Sequence, residues 1–442
     1  MDKMKVIQVV PSIGREAAGP SYSVPGMCRG LHENGVDVTL HLRKLGEISH
    51  TDYKVVTYPW YPYLQGVAYC PEMYKGLKKA CLDADVIHSN ALWMMPCVYP
   101  LWACKGTKCK LVVAPRGSLA TWSLKKGWLK KKVFGWLLQN AVLRHADMFH
   151  ATCEKEYEEI RAQGYKQPVA IVPIGMDLPE LEKKPQNTEE YAPEHNVLGN
   201  TQKGCCAQDD AASPQFKVKS SQFAVGDNVL GTQNSAYAPV ARPSEILRTT
   251  THLKRIVFFG RVHKVKAVDN LVKAWGALYA DLPDWELVIA GPDCGAKAEL
   301  DAIIAEEDIP RVRFTGEING QAKYDFLTDA DIYVLPSHTE NFGITVAEAL
   351  ACGTPTVASQ GTPWEGLETE KCGKWVPIGV EPLVIALREL TSLTDEERVA
   401  MGQRGIEWIR RDFSWEGIGA KMKAAYAWLL GQGEKPNFVR VD

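Results

Sequence analysis

Residues 332–351, IYVLPSHTENFGITVAEALA, are the most informative segment for predicting the fold. It begins with a short apolar run typical of a buried strand, and Gly343 ends the loop that follows. Residues 344–351 have the pattern of a helix, which places Glu348 one to two turns beyond the helix start. Glu340 in the loop and Glu348 on the helix therefore bracket a helix N-terminus, whose free N–H groups favour a phosphate.

Two carboxylates beside an anion-binding helix end indicate a site for a nucleotide sugar, since carboxylates accept hydrogen bonds from sugar hydroxyls. The alternative is a loop glutamate and a solvated helix glutamate without a ligand.

A second motif, in the loop after another predicted strand, favours the nucleotide-sugar site. Residues 255–259 form a short strand pattern that runs into Gly260, Arg261 and, five residues after the arginine, Lys266. Arg261 can make a forked contact to phosphate oxygens, and Lys266 supplies a point charge. An exposed, solvated cation pair is the alternative.

The rest of the second half alternates between strand and helix patterns, as in a parallel sheet covered on both faces. Further strands are predicted at 285–290, 312–316 and 354–358, with helices at 268–279, 296–306 and 321–328. The first half repeats the alternation, with strands at 5–10, 36–42, 85–88, 111–114, 147–151 and 169–173 and a helix that follows the loop 11–21. Ligands of such sheets bind beyond the carboxyl ends of the strands.

These motifs resemble those of the retaining family-4 glycosyltransferases (glycosyl transferases group 1), in particular a bacterial polysaccharide and lipopolysaccharide biosynthesis subgroup. HSNALW at 88–93 and APRGSL at 114–119 are similar to signatures of that subgroup. The resemblance implies an α/β fold of GT-B type, with two Rossmann-like doubly wound domains facing across a cleft. Residues 1–177 would form the acceptor-side domain and 251–412 the nucleotide-sugar domain, with a helix at 413–432 packing back on the first.

The resemblance also implies roles for individual residues. Arg261 and Lys266 would hold the donor diphosphate, Glu340 the hydroxyls of the donor sugar and Glu348 the ribose. The donor would further contact the loop and helix end, namely Asn341, Phe342, Gly343, Ile344 and Thr345. The family usually has glycine where this chain has Ala267, so we expect a slightly altered loop geometry.

Two candidates in the first half depart further from the family pattern. Gly19 matches a position where the family keeps small residues near the donor phosphate, but Pro20 stands where a second glycine is usual. Arg116 falls near the point where many relatives have a histidine beside the donor sugar. A cation there could stabilise the departing diphosphate and so count as catalytic, or it could be a structural hydrogen-bond donor.

Composition limits the other classes of function. The twelve cysteines are scattered without zinc-site spacing, so we expect no metal and no cofactor, the nucleotide sugar being a substrate. A net charge of −2 argues against nucleic-acid binding. The sequence shows neither a signal-peptide core nor an apolar run of about 18 residues, so we expect a cytoplasmic protein.

Residues 178–250, rich in Gln, Asn, Ser, Pro and Ala, are predicted to form a flexible insertion.

One local segment predicts a membrane contact. Residues 122–136 interleave five lysines with three tryptophans, which suits a helix on an anionic membrane surface. The protein would then be peripheral on the inner face of the plasma membrane. The alternative is a packed helix with a solvated lysine face.

The sequence therefore predicts a metal-independent, hexosyltransferase-type enzyme that moves a sugar from a nucleotide diphosphate to a glycan or lipid-linked acceptor in cell-surface polysaccharide assembly. The resemblance implies front-face attack, with the leaving phosphate taking the acceptor proton. Two alternatives stay open: a GT-B nucleotide-sugar epimerase, and a non-catalytic scaffold that binds nucleotide sugars.

Overall fold

The computed structural model describes residues 3–14, 18–43, 51–59, 61, 66–125, 127–179 and 253–441. Residues 1–181 and 253–442 belong to one compact unit. The predicted insertion at 178–250 lies outside the described residues, apart from its first two positions.

The first half of the chain forms a sheet of parallel strands with one antiparallel strand at its edge. Its described strands are β1 (Lys5–Val9), β2 (Asp37–Arg43), β3 (Lys54–Tyr58), β4 (Val86–Asn90), β5 (Lys110–Ala114), β6 (Met148–Ala151), β7 (Val169–Ile171) and, from the C-terminus, β14 (Val439–Arg440). They lie in the order β14-β7-β6-β5-β4-β1-β2-β3, and β14 pairs antiparallel with β7. All five residues of β4 are buried, because helices cover both faces of such a sheet.

The second half builds a separate sheet in which every described strand pairing is parallel. Its strands are β8 (Lys254–Phe259), β9 (Trp285–Ala290), β10 (Val312–Gly316), β11 (Ile332–Leu335), β12 (Thr356–Ser359) and β13 (Gly373–Val376). The order is β10-β9-β8-β11-β12-β13. The order reverses between β8 and β11, so the two predicted motifs follow the neighbouring strands at this switch point.

Helices join the strands in both halves. The first half contains α1 (Ala18–Glu33), α2 (Pro71–Ala80), α3 (Tyr99–Cys104), α4 (Thr121–Lys125), α5 (Trp128–Phe134), α6 (Asn140–His145) and α7 (Glu154–Ala162). The second contains α8 (Val268–Gly276), α9 (Lys297–Glu306), α10 (Gln321–Thr328), α11 (Ile344–Ala351), α12 (Gly366–Thr369), α13 (Val380–Ser392), α14 (Asp395–Phe413) and α15 (Trp415–Leu429). The predicted helix at 344–351 is confirmed.

The last long helix packs against the first. A Cβ atom on Gly30 of α1 would lie 2.1 Å from the carbonyl oxygen of Trp415, and one on Gly419 would lie 2.2 Å from Gly30. Only glycine allows α1 and α15 to approach this closely. The Asn34 side chain donates to the Glu416 carbonyl at 2.8 Å, and Lys423 donates to the Asn34 carbonyl at 2.7 Å. The C-terminal end of the chain thereby returns to the first sheet.

Two local predictions were wrong. The loop predicted at 11–21 ends earlier, since α1 begins at Ala18 and places Gly19 inside a helix. The single helix predicted over 122–136 is interrupted at Gly127, whose φ of 67° is left-handed, so that α4 and α5 are separate. A π-helical turn, Gly135–Gln139, follows α5 directly. Over the described residues, no helix combines the length and apolar character that crossing a membrane requires.

Candidate functional site

The loop between β11 and α11 is held by aromatic packing beneath it. Gly343 ends the loop with φ 76°, and a Cβ atom there would lie 3.2 Å from Leu335 and 3.3 Å from Trp364. The buried Trp364 donates its indole N–H to the Phe342 carbonyl at 2.5 Å and packs against the Phe342 ring. Glycine is therefore required at this turn both for its backbone angle and for the close neighbours.

The start of α11 has the features of an anion site. Among the described residues, no side chain caps this helix, and its first turn contains no acidic residue. The first N–H groups of a helix have no partner within the helix, and they carry the positive end of its dipole. Thr345 accepts a hydrogen bond from the buried Tyr333 hydroxyl at 2.6 Å, which fixes its side chain in the first turn. This end of α11 can accept an anion.

Lys266 and Glu340 lie together at the carboxyl ends of β8 and β11. The Lys266 Nζ atom donates to Glu340 Oε1 at 2.6 Å, and the side chains are 13% and 14% exposed. Ser337 donates to the same oxygen at 2.6 Å. The backbone joins the two loops as well, because His338 N donates to the Val265 carbonyl at 2.9 Å. The structure thus brings together two residues that the sequence separates widely.

The loop after β8 carries the other predicted cation. Arg261 is exposed, and its guanidinium forms no hydrogen bond or ion pair within the part of the chain that the structure describes. Lys266 ends a 3₁₀ turn that starts at Lys264, and Ala267 follows with φ 49°. Ala267 therefore adopts the left-handed conformation that glycine adopts without strain, while its methyl group is fully buried.

Glu348 lies in the second turn of α11 and is buried. Its Oε1 atom accepts from Lys323 Nζ of α10 at 2.6 Å, and the side chains of Lys323 and Glu348 are 19% and 8% exposed. Burial raises the pKa of Glu348, and the neighbouring ammonium lowers it in part. Burial works to lower the pKa of Lys323, but the charge and hydrogen bond of Glu348, together with those of Tyr324, outweigh burial and the pKa is raised. Sequence patterns gave no signal for Lys323.

Arg116 lies after β5, and its side chain contacts the first half of the protein. Its backbone is left-handed at φ 54°, and its Nη2 atom donates to Asn90 Oδ1 at 2.9 Å. Burial lowers its pKa, with Glu156 opposing the effect. The nearby buried imidazoles of His88 and His150 also have lowered pKa values, about 3 for His150, because burial disfavours their charged forms. The Nη2 atom is thus held by Asn90, whereas the buried Nε atom of Arg116 has no hydrogen-bond partner within the described residues, and the catalytic role of Arg116 stays a prediction.

The first half meets the candidate site through Asn341. The Asn341 amide donates to Thr152 Oγ1 at 3.0 Å, and the Cys153 thiol donates to the Asn341 carbonyl at 3.3 Å. A Cβ atom on Gly117, which has φ 74°, would lie 3.3 Å from the Asn341 side chain. The buried Glu156 accepts from Gly117 N at 2.6 Å, which ties the loop after β5 to α7. Gly19 lies elsewhere on α1, exposed, with nothing described within 4 Å of a Cβ placed on it.

The segment predicted to contact a membrane has an exposed apolar surface. Trp128 is 59% exposed and Trp136 is 79% exposed. Three aliphatic side chains in the same segment are also exposed: Leu129, Val133 and Leu137. The Lys132 ammonium lies 5.7 Å from the centroid of the Trp128 ring, so cations border the apolar side chains. We call this surface, residues 128–137, the Trp/Lys surface.

Comparison with known families finds a match for each half. Residues 244–408 match the family model described as "Glycosyl transferases group 1", and residues 18–175 match the "Glycosyl transferase 4-like domain". Each half is thus similar to a glycosyltransferase domain. The two matched ranges contain the candidate site and its contacts from the first half.

Curated relatives carry glycosyltransferase names. A D-inositol 3-phosphate glycosyltransferase of Corynebacterium glutamicum (strain R) is 34% identical over 184 residues, which is 40% of this chain and 43% of the relative. The lipopolysaccharide core biosynthesis mannosyltransferase LpsB of Rhizobium meliloti (strain 1021) is 31% identical over 189 residues, 39% of this chain and 51% of the relative. The chain thus spans about a third to a half of the length of the curated relatives it matches.

Solved structures match nearly the whole chain. Sucrose-phosphate synthase from Thermosynechococcus elongatus has a TM-score of 0.65 at 19% identity, covering 98% of this chain and 100% of its own. HepE of Anabaena in complex with UDP-glucose has a TM-score of 0.63 at 14% identity, covering 96% and 100%. The two parallel-sheet α/β domains of this chain match such GT-B structures, and the predicted GT-B fold is confirmed.

Proposed function

We propose that this chain is a retaining glycosyltransferase of family 4 that uses a nucleotide-diphosphate sugar. The observation that carries the proposal is the arrangement at the switch point of the second sheet. There the Lys266–Glu340 pair, 2.6 Å apart, follows the same two neighbouring strands as Arg261, in the loop after β8, and as the start of α11, which no described side chain caps. Cations and helix N–H groups suit a diphosphate, and a neighbouring carboxylate suits sugar hydroxyls.

The proposed reaction exchanges one C–O bond for another at the anomeric carbon of the donor sugar. The bond to the diphosphate breaks as an acceptor hydroxyl attacks from the same face, and the leaving phosphate oxygen takes the acceptor proton. Arg261 and Lys266, with the N–H groups at Ile344 and Thr345, stabilise the charge that develops on the leaving group. Glu340 accepts from donor-sugar hydroxyls. Neither a metal nor a cofactor takes part in this proposal.

We propose a glycan or a lipid-linked acceptor in cell-surface polysaccharide assembly. The lipopolysaccharide mannosyltransferase among the relatives supports this acceptor class. The Trp/Lys surface supports it independently, since exposed tryptophans bordered by lysines suit the headgroup region of an anionic bilayer. We propose that the protein works in the cytoplasm at the inner face of the plasma membrane and binds no nucleic acid.

Donor turnover tests the reaction. The purified protein is incubated with UDP-, GDP- and ADP-sugars plus membrane extract, and nucleotide diphosphate release is measured beside the Glu340→Gln and Glu389→Gln variants. Glu389 is the matched control, because it pairs at 2.5 Å with Lys374 of β13, the edge strand of the same sheet. We expect release from one donor class, lost in Glu340→Gln and kept in Glu389→Gln. NMR of the product then reports whether the anomeric configuration is retained.

Three other results would change the assignment. Epimerised donor without acceptor would establish the epimerase instead. Donor binding without release or epimer would establish the scaffold. An inverted anomeric centre would contradict the retaining mechanism while leaving a glycosyltransferase.

Vesicle binding tests the membrane proposal. Trp128→Ser with Trp136→Ser should reduce cosedimentation with phosphatidylglycerol vesicles by about tenfold or more, because each exposed indole contributes apolar burial in the interface. Trp102→Ser is the control, since Trp102 is an exposed tryptophan outside this surface. Equal binding of the double variant and the wild-type protein would exclude the Trp/Lys surface as the contact.

A further inference from the structure

Lys323 stands out as a cation that neither the motifs nor the proposed reaction uses. It lies in the first turn of α10, and its Nζ atom is 2.6 Å from Glu348 Oε1. The same ammonium lies 4.4 Å from the centroid of the Tyr324 ring, so its position is fixed on two sides. Lys323 is thus built into the part of the site that holds Glu348.

Within the described residues, Lys323 is the cation whose charge acts on Glu348. The other titratable groups with a charge interaction with Glu348 are Tyr324 of α10, Tyr333 of β11, Tyr22 of α1 and Cys352, which directly follows α11. Burial raises the pKa of each of these phenols and of the Cys352 thiol, to about 12 for the thiol, so all four are neutral at physiological pH. Lys323 alone of this set balances the buried charge of Glu348.

The two carboxylate oxygens of Glu348 differ in their hydrogen bonds. Oε1 accepts from Lys323, whereas Oε2 accepts no hydrogen bond from any residue within the described ranges. Oε2 keeps some solvent exposure, although the Glu348 side chain as a whole is only 8% exposed. An ionised carboxylate accepts hydrogen bonds only, and a protonated one would present a donor in their place.

We propose that Lys323 is a positioning residue for the nucleoside half of the donor: it keeps Glu348 ionised and occupies Oε1, so that Oε2 faces the ribose hydroxyls. This inference rests on the proposed function, because it takes Glu348 as the ribose contact. Lys323 acts through Glu348 and need not touch the reacting atoms.

Nucleotide affinity against pH tests the proposal. The nucleoside diphosphate that binds best among UDP, GDP and ADP is compared with its 2′,3′-dideoxy analogue by calorimetry from pH 6 to pH 9. The proteins are the wild type, Lys323→Met, Lys323→Gln and Lys323→Arg. Lys374→Met is the matched control, a partly buried lysine paired with Glu389 at 2.5 Å. Thermal melting confirms that each variant is folded.

The sign of the pH effect follows from the charges. Burial raises the pKa of Glu348, and loss of the Lys323 ammonium raises it further. Glu348 in Lys323→Met is therefore protonated to a greater extent at the acid end of the range. We expect about a tenfold loss of the preference for ribose over dideoxyribose near pH 6, with recovery towards pH 9. Lys323→Arg and Lys374→Met should keep the wild-type preference.

The possible results distinguish the ribose role of Glu348 from the positioning role of Lys323. A wild-type protein that binds no nucleoside diphosphate, or binds the dideoxy analogue equally well, overturns the ribose role of Glu348 and this inference with it. A wild-type preference for ribose that persists unchanged in both neutral variants overturns the inference alone. A loss that is equal for both nucleotides, or the same at every pH, also overturns it, since that result indicates a structural role.

Discussion

Replacing Lys266 by methionine separates the structural and the chemical roles of the Lys266–Glu340 pair. The change keeps most of the apolar stem and removes the ammonium that lies 2.6 Å from Glu340 Oε1. Glu340 then keeps Ser337 as its hydrogen-bond donor. If Lys266 also binds the donor diphosphate, activity should fall much more than stability.

The stability cost follows from the burial of the pair. Two unit charges about 3 Å apart attract by about 5 kcal/mol at an effective dielectric constant of 20, before desolvation is subtracted. Exposed pairs contribute about 0–1 kcal/mol, and breaking a fully buried pair costs about 3–5 kcal/mol. With side chains 13% and 14% exposed, Lys266 and Glu340 lie between these limits. We expect Lys266→Met to lower the free energy of unfolding by about 2 kcal/mol.

The catalytic cost should be larger. Removing a preorganised group that stabilises transition-state charge typically lowers kcat by about 100- to 1,000-fold, or about 3–4 kcal/mol. Steady-state turnover of the preferred donor, at a temperature where urea titration shows the variant folded, measures this loss. Lys254→Met is the control. Lys254 pairs with Asp395 at 2.8 Å and lies at the amino end of β8, the strand that precedes the Lys266 loop. It should leave kcat unchanged.

A double-mutant cycle measures how strongly Lys266 and Glu340 depend on each other. Lys266→Met and Glu340→Gln should couple by about 1–2 kcal/mol in unfolding free energy, because the residues are in direct contact. Lys266 has no direct catalytic role if Lys266→Met lowers stability as expected but keeps kcat within about tenfold of wild type. In that case Lys266 only holds Glu340 in place.

Two further changes test the surroundings of the site. Ala267→Gly should alter the free energy of unfolding by no more than about 1 kcal/mol in urea titration, because about 1 kcal/mol of left-handed strain relieved offsets a buried methyl worth about 0.8 kcal/mol. The same change at Ala274, buried inside α8, should cost about 2 kcal/mol, and equal losses would refute the strain argument. Asn341→Ala should cost about 1 kcal/mol, because it removes the 3.0 Å hydrogen bond to Thr152 Oγ1. Thr152→Val should cost more, because it also removes the 2.8 Å hydrogen bond that Thr152 Oγ1 donates to the buried Glu156. The double variant should cost little more than Thr152→Val alone, since both changes remove the Asn341–Thr152 hydrogen bond. Additive losses would show that this bond contributes nothing.

Local sequence patterns were sufficient for the parts of the site that follow one strand. The run from β11 through Gly343 into α11 could be predicted because strand, left-handed turn and helix lie within twenty consecutive residues. Arg116 could not be placed in this way. Its direction depends on a left-handed backbone angle and on a hydrogen bond to Asn90, neither of which a sequence pattern reports.

The Trp/Lys surface shows a second limit of the pattern. Its composition predicted exposed apolar side chains, and Trp128 and Trp136 are exposed. It also predicted one continuous helix, but Gly127 interrupts it, and the π-helical turn after α5 changes the direction of the later side chains. Composition thus found the surface, whereas its geometry depends on one glycine and one irregular turn.

The convergence of Lys266, Glu340 and Glu348 depends on strand order, which the sequence does not state. β8 and β11 are neighbours although β9 and β10 come between them in the chain, and their pairing brings the two following loops to one edge. Lys323 reaches Glu348 only because α10 packs beside α11. In both pairs, Lys266–Glu340 and Lys323–Glu348, the motifs identify at least one residue, but only the fold brings the two side chains into contact. The most informative variants are therefore those that change one partner of a pair and keep the other.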